Sequence, residues 1–331
     1  MQCEVLTVRR LVNMFLTNRQ QQMESGAHTA KTFDQSFRVC GVLVKFFSRD
    51  QAVEDLTPND FARLRASLAK RNKSASGLRS TMGVIRAVFN FATAERLIKQ
   101  PVHYGQSFNR PSAKLLRRDR NNRTAKMFEP DEIHMLMDAG SVIDKAMILL
   151  GINCGFGNTD IAMLPDTAID LDAGWIEYPR PKTEIRRRIP LWPETIEAVR
   201  EAINIRPKAA KQEYNRLCFL TATGLPFVRV QDNKREGALS PKVGINVLSQ
   251  RFAKLVKKLE LPPGRNFYAL RHTFATVAGE SRDQVAVDAV MGHVDGSMAG
   301  QYRERISDER LMDVVDAVHD WLFSTYIESE K

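Results

Sequence analysis

Apolar residues recur at helical spacing through residues 5–48, where Leu11 and Phe15, then Phe33, Phe37, Cys40, Val44 and Phe47, fall on shared stripes. A further helix starts in DLTPND (55–60). Thr57 is a natural N-cap, Pro58 suits the first turn, and Phe61, Leu64 and Leu68 continue the buried face. Residues 76–98 predict another helix, burying Met82, Ile85, Val88, Phe89 and Phe91. The N-terminal part is therefore expected to be a bundle of about four helices. The pattern then lapses. PSAKLLRRDRNNRTAK (111–126) holds few apolar residues and six basic ones. It predicts an interdomain linker that could follow a phosphate backbone, or a merely solvated, protease-sensitive tether.

Periodicity resumes at Phe128. EPDE (129–132) opens a helix with acidic residues in its first turn, and residues 146–152 read as a buried helix. WIEY (175–178) and RRIPL (187–191) predict two strands around a turn at Lys182, Thr183 and Glu184. Helices are predicted at 193–203, 245–259, 268–279, 284–291 and 308–323. The fold class is mainly α with a small antiparallel β-sheet. The expected domains are 1–110 and 127–331, joined by the basic linker 111–126. A chain of 331 residues is long enough to build two cores.

Charge changes this picture. Residues 1–124 hold 22 Lys/Arg against 9 Asp/Glu, whereas 125–331 hold 27 against 30, so the net +10 is entirely N-terminal. A basic domain points to a polyanion, most simply nucleic acid, or to a basic surface kept for solubility. Cys3, Cys40, Cys154 and Cys218 are scattered without a CxxC pair, which argues against a disulfide framework or zinc module and fits a reducing cytoplasm. Arg9 and Arg10 are followed only by short apolar runs. The N-terminus does not read as a signal peptide, and no run approaches the roughly 18–20 residues that span a bilayer.

The candidate chemistry is C-terminal. Arg271 lies in FYALRHTFAT, His293 comes twenty-two residues later in MGH, and Tyr302 nine residues after that. A tyrosine can attack a phosphodiester, an arginine can neutralise its non-bridging oxygens, and a histidine can hydrogen-bond the phosphate or handle a proton. No metal is required, and no metal site or cofactor motif is evident. Each residue alone has a plainer reading: Tyr302 as packing, His293 as a turn or cap residue, Arg271 as a helix arginine paired with a carboxylate.

In order and at this spacing, LRHTFAT (270–276), MGH (291–293) and Tyr302 resemble the tyrosine recombinase (phage integrase) family over about 200 residues. The resemblance implies a catalytic domain that clamps duplex DNA together with a helical core-binding domain. It implies that Tyr302 forms a 3′-phosphotyrosine and releases a 5′-hydroxyl, while Arg271 and His293 hold the scissile phosphate. Lys182, on the turn of PRPKTEIRRRIPL, matches the family's hairpin lysine, which protonates the leaving oxygen. Arg186 and Arg187 beside it, and Arg117, Arg118, Arg120, Arg123 and Lys126 in the linker, are expected to face DNA. His272 reads as structural.

Two positions depart from the family. Its first catalytic arginine belongs in a run like TGLRxxEL, but here CGFGNTDIAML (154–164) places Gly157 there, with Asn158 next. No Lys or Arg occurs between Lys145 and Arg180. Tyr268 stands where the family carries His or Lys, three residues before Arg271. An arginine on transferring phosphoryl oxygens is worth ~10³–10⁵ in rate. Free N–H groups of a helix opening at Gly157-Asn158-Thr159 would offset part of that loss.

Three readings are open. The first is a working, metal- and ATP-independent DNA strand-transferase whose pocket recruits another cation, Arg186 or Arg180. The second is an impaired recombinase that still binds DNA in a structural or regulatory role. A type IB topoisomerase-like enzyme ranks last, because the size and the LRHTFAT run look like integrases. The expected partner is double-stranded DNA, not a membrane. The stripe Leu311, Val314, Val315, Val318, Trp321 and Leu322 of the last helix either docks on a neighbouring subunit of a tetramer or packs on its own domain.

Overall fold

The computed structural model describes residues 5–72, 74–122, 125–232 and 242–329. The chain divides into two compact units, Met1–Arg123 with Val230–Gly244 and Thr124–Arg229 with Ile245–Lys331.

The first unit contains α1 (Val8–Glu24), α2 (Ala30–Phe47), α3 (Pro58–Arg71), α4 (Ala75–Ala94) and α5 (Ala113–Asn121). Each opens on a hydroxyl: Thr7, Thr29, Thr57, Ser74 and Ser112 all accept a backbone N–H three residues on. Such a cap contributes about 1 kcal/mol. Thr57 goes further and forms a reciprocal box with Asp60, ahead of Pro58. The continuous periodicity of residues 5–48 thus resolves into two helices, broken at Ser25 and Gly26. The core is built from Leu11, Phe15, Leu43, Leu64, Met82 and Ile85, around Phe61. Phe61 meets Phe47, Phe89, Tyr104 and Phe108 edge-on at centroid distances of 4.9–5.7 Å. Part of the stretch expected to be a linker is helical: it carries α5, and Asp119 on that helix accepts the Ala75 N–H at the start of α4 (3.2 Å).

The second unit holds α6 (Pro130–Ala139), α7 (Val142–Asn153), α8 (Asn158–Ala162), α9 (Pro193–Asn204), α10 (Val247–Lys258), α11 (Tyr268–Val277), α12 (Gln284–Met291), α13 (Met298–Tyr302) and α14 (Asp308–Ser329). An antiparallel sheet runs β1 (Ile169–Asp170), β2 (Trp175–Glu177), β3 (Arg188–Pro190), with Ile176 opposite Ile189 and Glu177 opposite Arg188. β1 extends the sheet beyond the two strands expected from the sequence. Another pair, β4 (Val228–Asp232) and β5 (Lys242–Asn246), most of whose residues belong to the first unit, forms a separate two-stranded sheet that the sequence pattern does not predict. No helix among the described residues is long and apolar enough to cross a membrane.

α7 is buried along nearly its whole length, as its unbroken apolar run requires. Its last residue, Asn153, sets the path of residues 154–157. The buried Asn153 amide donates to the Pro190 carbonyl (3.1 Å) and accepts from the Trp192 N–H (3.0 Å). The end of α7 is thereby tied to the exit of β3. α14 closes the core with Leu311, Val314, Val315, Val318 and Leu322, all buried within this unit. The Trp192 indole donates to the Val315 carbonyl (3.2 Å). Burial of each such side chain contributes about 1.5–3 kcal/mol. The apolar stripe considered as a docking surface for a neighbouring subunit is therefore occupied at home. Cys40, Cys154 and Cys218 are free and buried.

Candidate active site

Arg271 is the most buried of the charged candidates, at 1% exposure. α11 takes it inside, because Leu270, Phe274 and Val277 pack in the core and Thr273 accepts the Phe128 N–H (2.9 Å). The guanidinium donates from Nη1 to the Gly155 carbonyl (2.6 Å) and from Nη2 to the Met291 carbonyl (2.7 Å). Nη2 also lies 3.0 Å from His293 Nε2. Gly155 has φ +60°, and a Cβ there would fall 2.9 Å from the Phe274 ring. Only glycine turns this carbonyl toward Arg271 in the space available. Burial, and next the charge of Arg180, pull the Arg271 pKa down, yet a guanidinium stays protonated in a protein.

His293 lies just past the C-terminal end of α12, where Gly292 takes the left-handed conformation (φ +62°). The His293 N–H donates to the Asp288 carbonyl (2.9 Å), and its Nδ1 bonds the Asp288 carboxylate (2.9 Å). A carboxylate only accepts, so the proton sits on Nδ1 and Nε2 is left to accept from Arg271. In that form Nε2 carries the ring's one acceptor lone pair, which Arg271 occupies. The motifs do not single out Asp288. Its spacing from His293, five residues across a helix end, is the signal that could have found it.

The segment between β2 and β3 reaches this cluster. It turns back through Arg180 N–H to the Ile185 carbonyl (2.9 Å) and Glu184 N–H to the Arg180 carbonyl (2.7 Å). Lys182 is exposed on this turn. Thr183 Oγ1 and Arg180 Nη1 both donate to the Gly292 carbonyl, each at 3.2 Å. Packing there is tight: a Cβ on Gly292 would lie 2.9 Å from Arg187 Cδ and 3.1 Å from Arg180 Cβ.

Arg187, expected to face DNA, does not. Its side chain is buried, bonded to Asp160 (2.9 Å) and the Tyr178 carbonyl (2.9 Å), with its guanidinium 4.5 Å from the Phe156 ring centroid. Arg186 beside it is exposed, as are Arg117, Arg118 and Arg120 on α5 and Lys126. Arg123 lies outside the described residues.

The two departures from the family pattern meet at one place. A Cβ on Gly157 would lie 3.2 Å from Cδ2 and Cε2 of Tyr268, so the Tyr268 ring covers the position where the arginine is missing. Asn158 points elsewhere, donating to Ser249 Oγ (3.0 Å). The Gly157 N–H, expected to be open to a phosphate, is taken by Asp160 Oδ2 (2.9 Å). Asp160 therefore serves both this turn and Arg187, a role that no motif signals. The Tyr268 ring also meets His272 edge-on at 5.3 Å. Burial first, then Lys126 and Arg271, lower the His272 pKa.

Tyr302 ends α13 and is 78% exposed. Ser297 caps that short helix through the Gly300 N–H (3.1 Å), and Asp295 pairs with Arg303 (2.9 Å). Among the described residues no hydrogen bond joins the Tyr302 hydroxyl to Arg271, His293 or Lys182. The structure thus brings Arg271, His293 and the hairpin together and leaves Tyr302 outside the cluster.

Known proteins resemble this chain in sequence and fold. The model of the phage integrase family matches residues 126–309. The tyrosine recombinase XerC of Alcanivorax borkumensis is 24% identical over 316 residues, which is 93% of each chain. Among solved structures, the Tn1549 transposon integrase in complex with a circular intermediate DNA superposes with a TM-score of 0.66 at 18% identity, over 92% of this chain and 97% of that one. A lambda integrase tetramer bound to a Holliday junction gives 0.63 at 17% identity, over 92% and 80%. These structural likenesses concern the fold.

Proposed function

The chain belongs to the phage integrase family, and from that membership we propose that it is a site-specific recombinase that breaks and rejoins duplex DNA through a 3′-phosphotyrosine. Tyr302 Oη attacks the scissile phosphorus and the bond to the 5′-oxygen breaks. The phenolic proton leaves to His293 Nε2 or water, and Lys182 supplies a proton to the departing 5′-oxygen. The reverse attack by a 5′-hydroxyl reseals the strand. One phosphodiester replaces another, so neither ATP nor a metal enters, and positioning with charge stabilisation must supply most of the rate.

The observation that carries this reading is Arg271: a buried guanidinium beside His293 with no carboxylate partner among the described residues. A buried charge needs a counter-charge, and a scissile phosphate provides one. Tyr302 is 78% exposed and so is open to a bound duplex. The basic excess of residues 1–124 and the exposed arginines of α5 fit a duplex partner. We propose a homo-oligomer on that DNA, a tetramer as in the lambda integrase complex. A part for the C-terminal helix in that contact falls to its surfaces outside the buried stripe. A reducing cytoplasm suits the free buried thiols. The second reading, an impaired DNA-binding relative, is favoured by one observation: the atoms nearest a Cβ at Gly157 belong to Tyr268 and Asp160.

The test starts from a pool of nicked duplexes with randomised arms, selected with the wild-type chain for covalent retention in EDTA. The expected result is a trapped protein–DNA adduct that Tyr302→Phe abolishes, with DNA binding nearly intact. Retained binding without any adduct would move the assignment to the impaired relative. An adduct surviving Tyr302→Phe would place the nucleophile elsewhere.

A further inference from the structure

We propose that Arg180 is a second phosphate-binding residue of this site and takes over the charge that Gly157 does not provide; the inference rests on the recombinase reading above. The geometry comes from two consecutive carbonyls. Arg271 donates to the carbonyl of Met291 (2.7 Å) and Arg180 to that of Gly292 (3.2 Å). Two guanidinium groups are thus anchored side by side on one turn, the turn that also presents His293.

Elimination among the hairpin's arginines leaves Arg180 alone in this place. Arg187 is spent on Asp160, and Arg188 on Glu177 and Asp308. Arg186 is exposed. Arg180 is half-buried, faces the cluster and pairs with no carboxylate among the described residues. Its charge is, after burial, the largest influence lowering the Arg271 pKa. Two neighbouring cations in a partly dry site repel each other unless an anion joins them. Carbonyl dipoles orient these two without neutralising them. A phosphate bridging both would bring the missing charge and place two cations on its non-bridging oxygens.

The positioning also follows from the packing of the hairpin against Gly292. Gly292 has no room for a Cβ, which would lie 2.9 Å from Arg187 Cδ and 3.1 Å from Arg180 Cβ and Cδ. The Arg180 stem is therefore held along the loop that carries His293, which fixes where its head group sits. A plainer account is that Arg180 only braces this loop. The two accounts separate by charge.

Adduct formation is measured on the duplex selected above, and on the same duplex with a methylphosphonate at the scissile position, which removes one negative charge. If Arg180 neutralises the phosphate, Arg180→Ala slows the reaction about 10²–10³-fold on the phosphodiester. On the methylphosphonate, variant and wild-type rates draw together. Arg180→Gln keeps a neutral N–H donor on a shorter stem and carries no charge, and should be nearly as slow as Arg180→Ala. The inference is overturned if Arg180→Gln restores the wild-type rate, if the defect is equal on both duplexes, or if Arg180→Ala stays within about threefold of wild type. A wild-type chain that forms no adduct at all defeats the recombinase reading beneath it, which is a different result from active wild type with indifferent Arg180 variants.

Discussion

Two buried arginines in the second unit, Arg187 and Arg271, have opposite surroundings. Arg187 has its anion built in: Asp160 at 2.9 Å, with the Phe156 and Tyr178 rings around it. Arg271 is as deeply buried and, among the described residues, is hydrogen-bonded only to two carbonyls and a histidine, with Asp160 acting on it by charge alone. The first arrangement has its counter-charge without a ligand, although the buried Arg187 Nη1 has no hydrogen-bond partner. The second has no carboxylate bonded to it among the described residues. Burial alone does not separate these two arginines; the bonded counter-charge does.

Substitution should separate the two. Arg271→Met is expected to slow adduct formation by ~10³–10⁵. Its stability should move by less than about 2 kcal/mol, because relief of an unpaired buried charge offsets two lost carbonyl bonds. Asp160→Ala should do the reverse in kind. It strands the Arg187 charge and should cost about 3–5 kcal/mol of stability in urea unfolding. If Arg271→Met unfolds as readily as Asp160→Ala and still forms adduct, the contrast between the two arginines collapses.

A smaller effect tests the place where the family arginine is missing. Gly157→Arg puts a side chain against the Tyr268 ring, since even its Cβ would lie 3.2 Å away. Overpacking of this kind costs about 1–3 kcal/mol. Tyr268→His should relieve it. A double-mutant cycle on unfolding free energies should therefore show a favourable coupling of about 0.5–3 kcal/mol. Additivity would mean that the two positions do not share one space.

The same contrast explains what is legible in the sequence. Arg271 and His293 can be read because each sits in a dense local pattern: an apolar helix for one, a helix end closed by glycine for the other. The hairpin is legible as a hairpin, but which of its arginines turn inward is not. Arg187 lies in the long irregular turn ahead of β3, where strand alternation gives no guide, and its partner Asp160 is distant in sequence. Gly157 and Tyr268 can each be seen as departures; that one covers the other is set by how α11 packs beside residues 154–157. The stripe of α14 reads the same whether it is buried at home or on a neighbour. The contacts of Leu311 to Leu322 with the core decide that. Basic residues hide the helix α5, because its stability comes from Ser112 and the Asp119 contact with α4 more than from an apolar face.

The central claim is that the anion missing from Arg271 is the scissile phosphate. The most direct measurement is the structure of the Tyr302→Phe chain bound to its selected duplex. The account predicts a non-bridging oxygen of the scissile phosphate within about 3 Å of the Arg271 guanidinium, with His293 Nε2 on the same phosphate and the residue-302 ring brought in line with the 5′-oxygen. A bound duplex whose phosphates all lie away from Arg271, with the guanidinium still held only by Gly155, Met291 and His293, would contradict it.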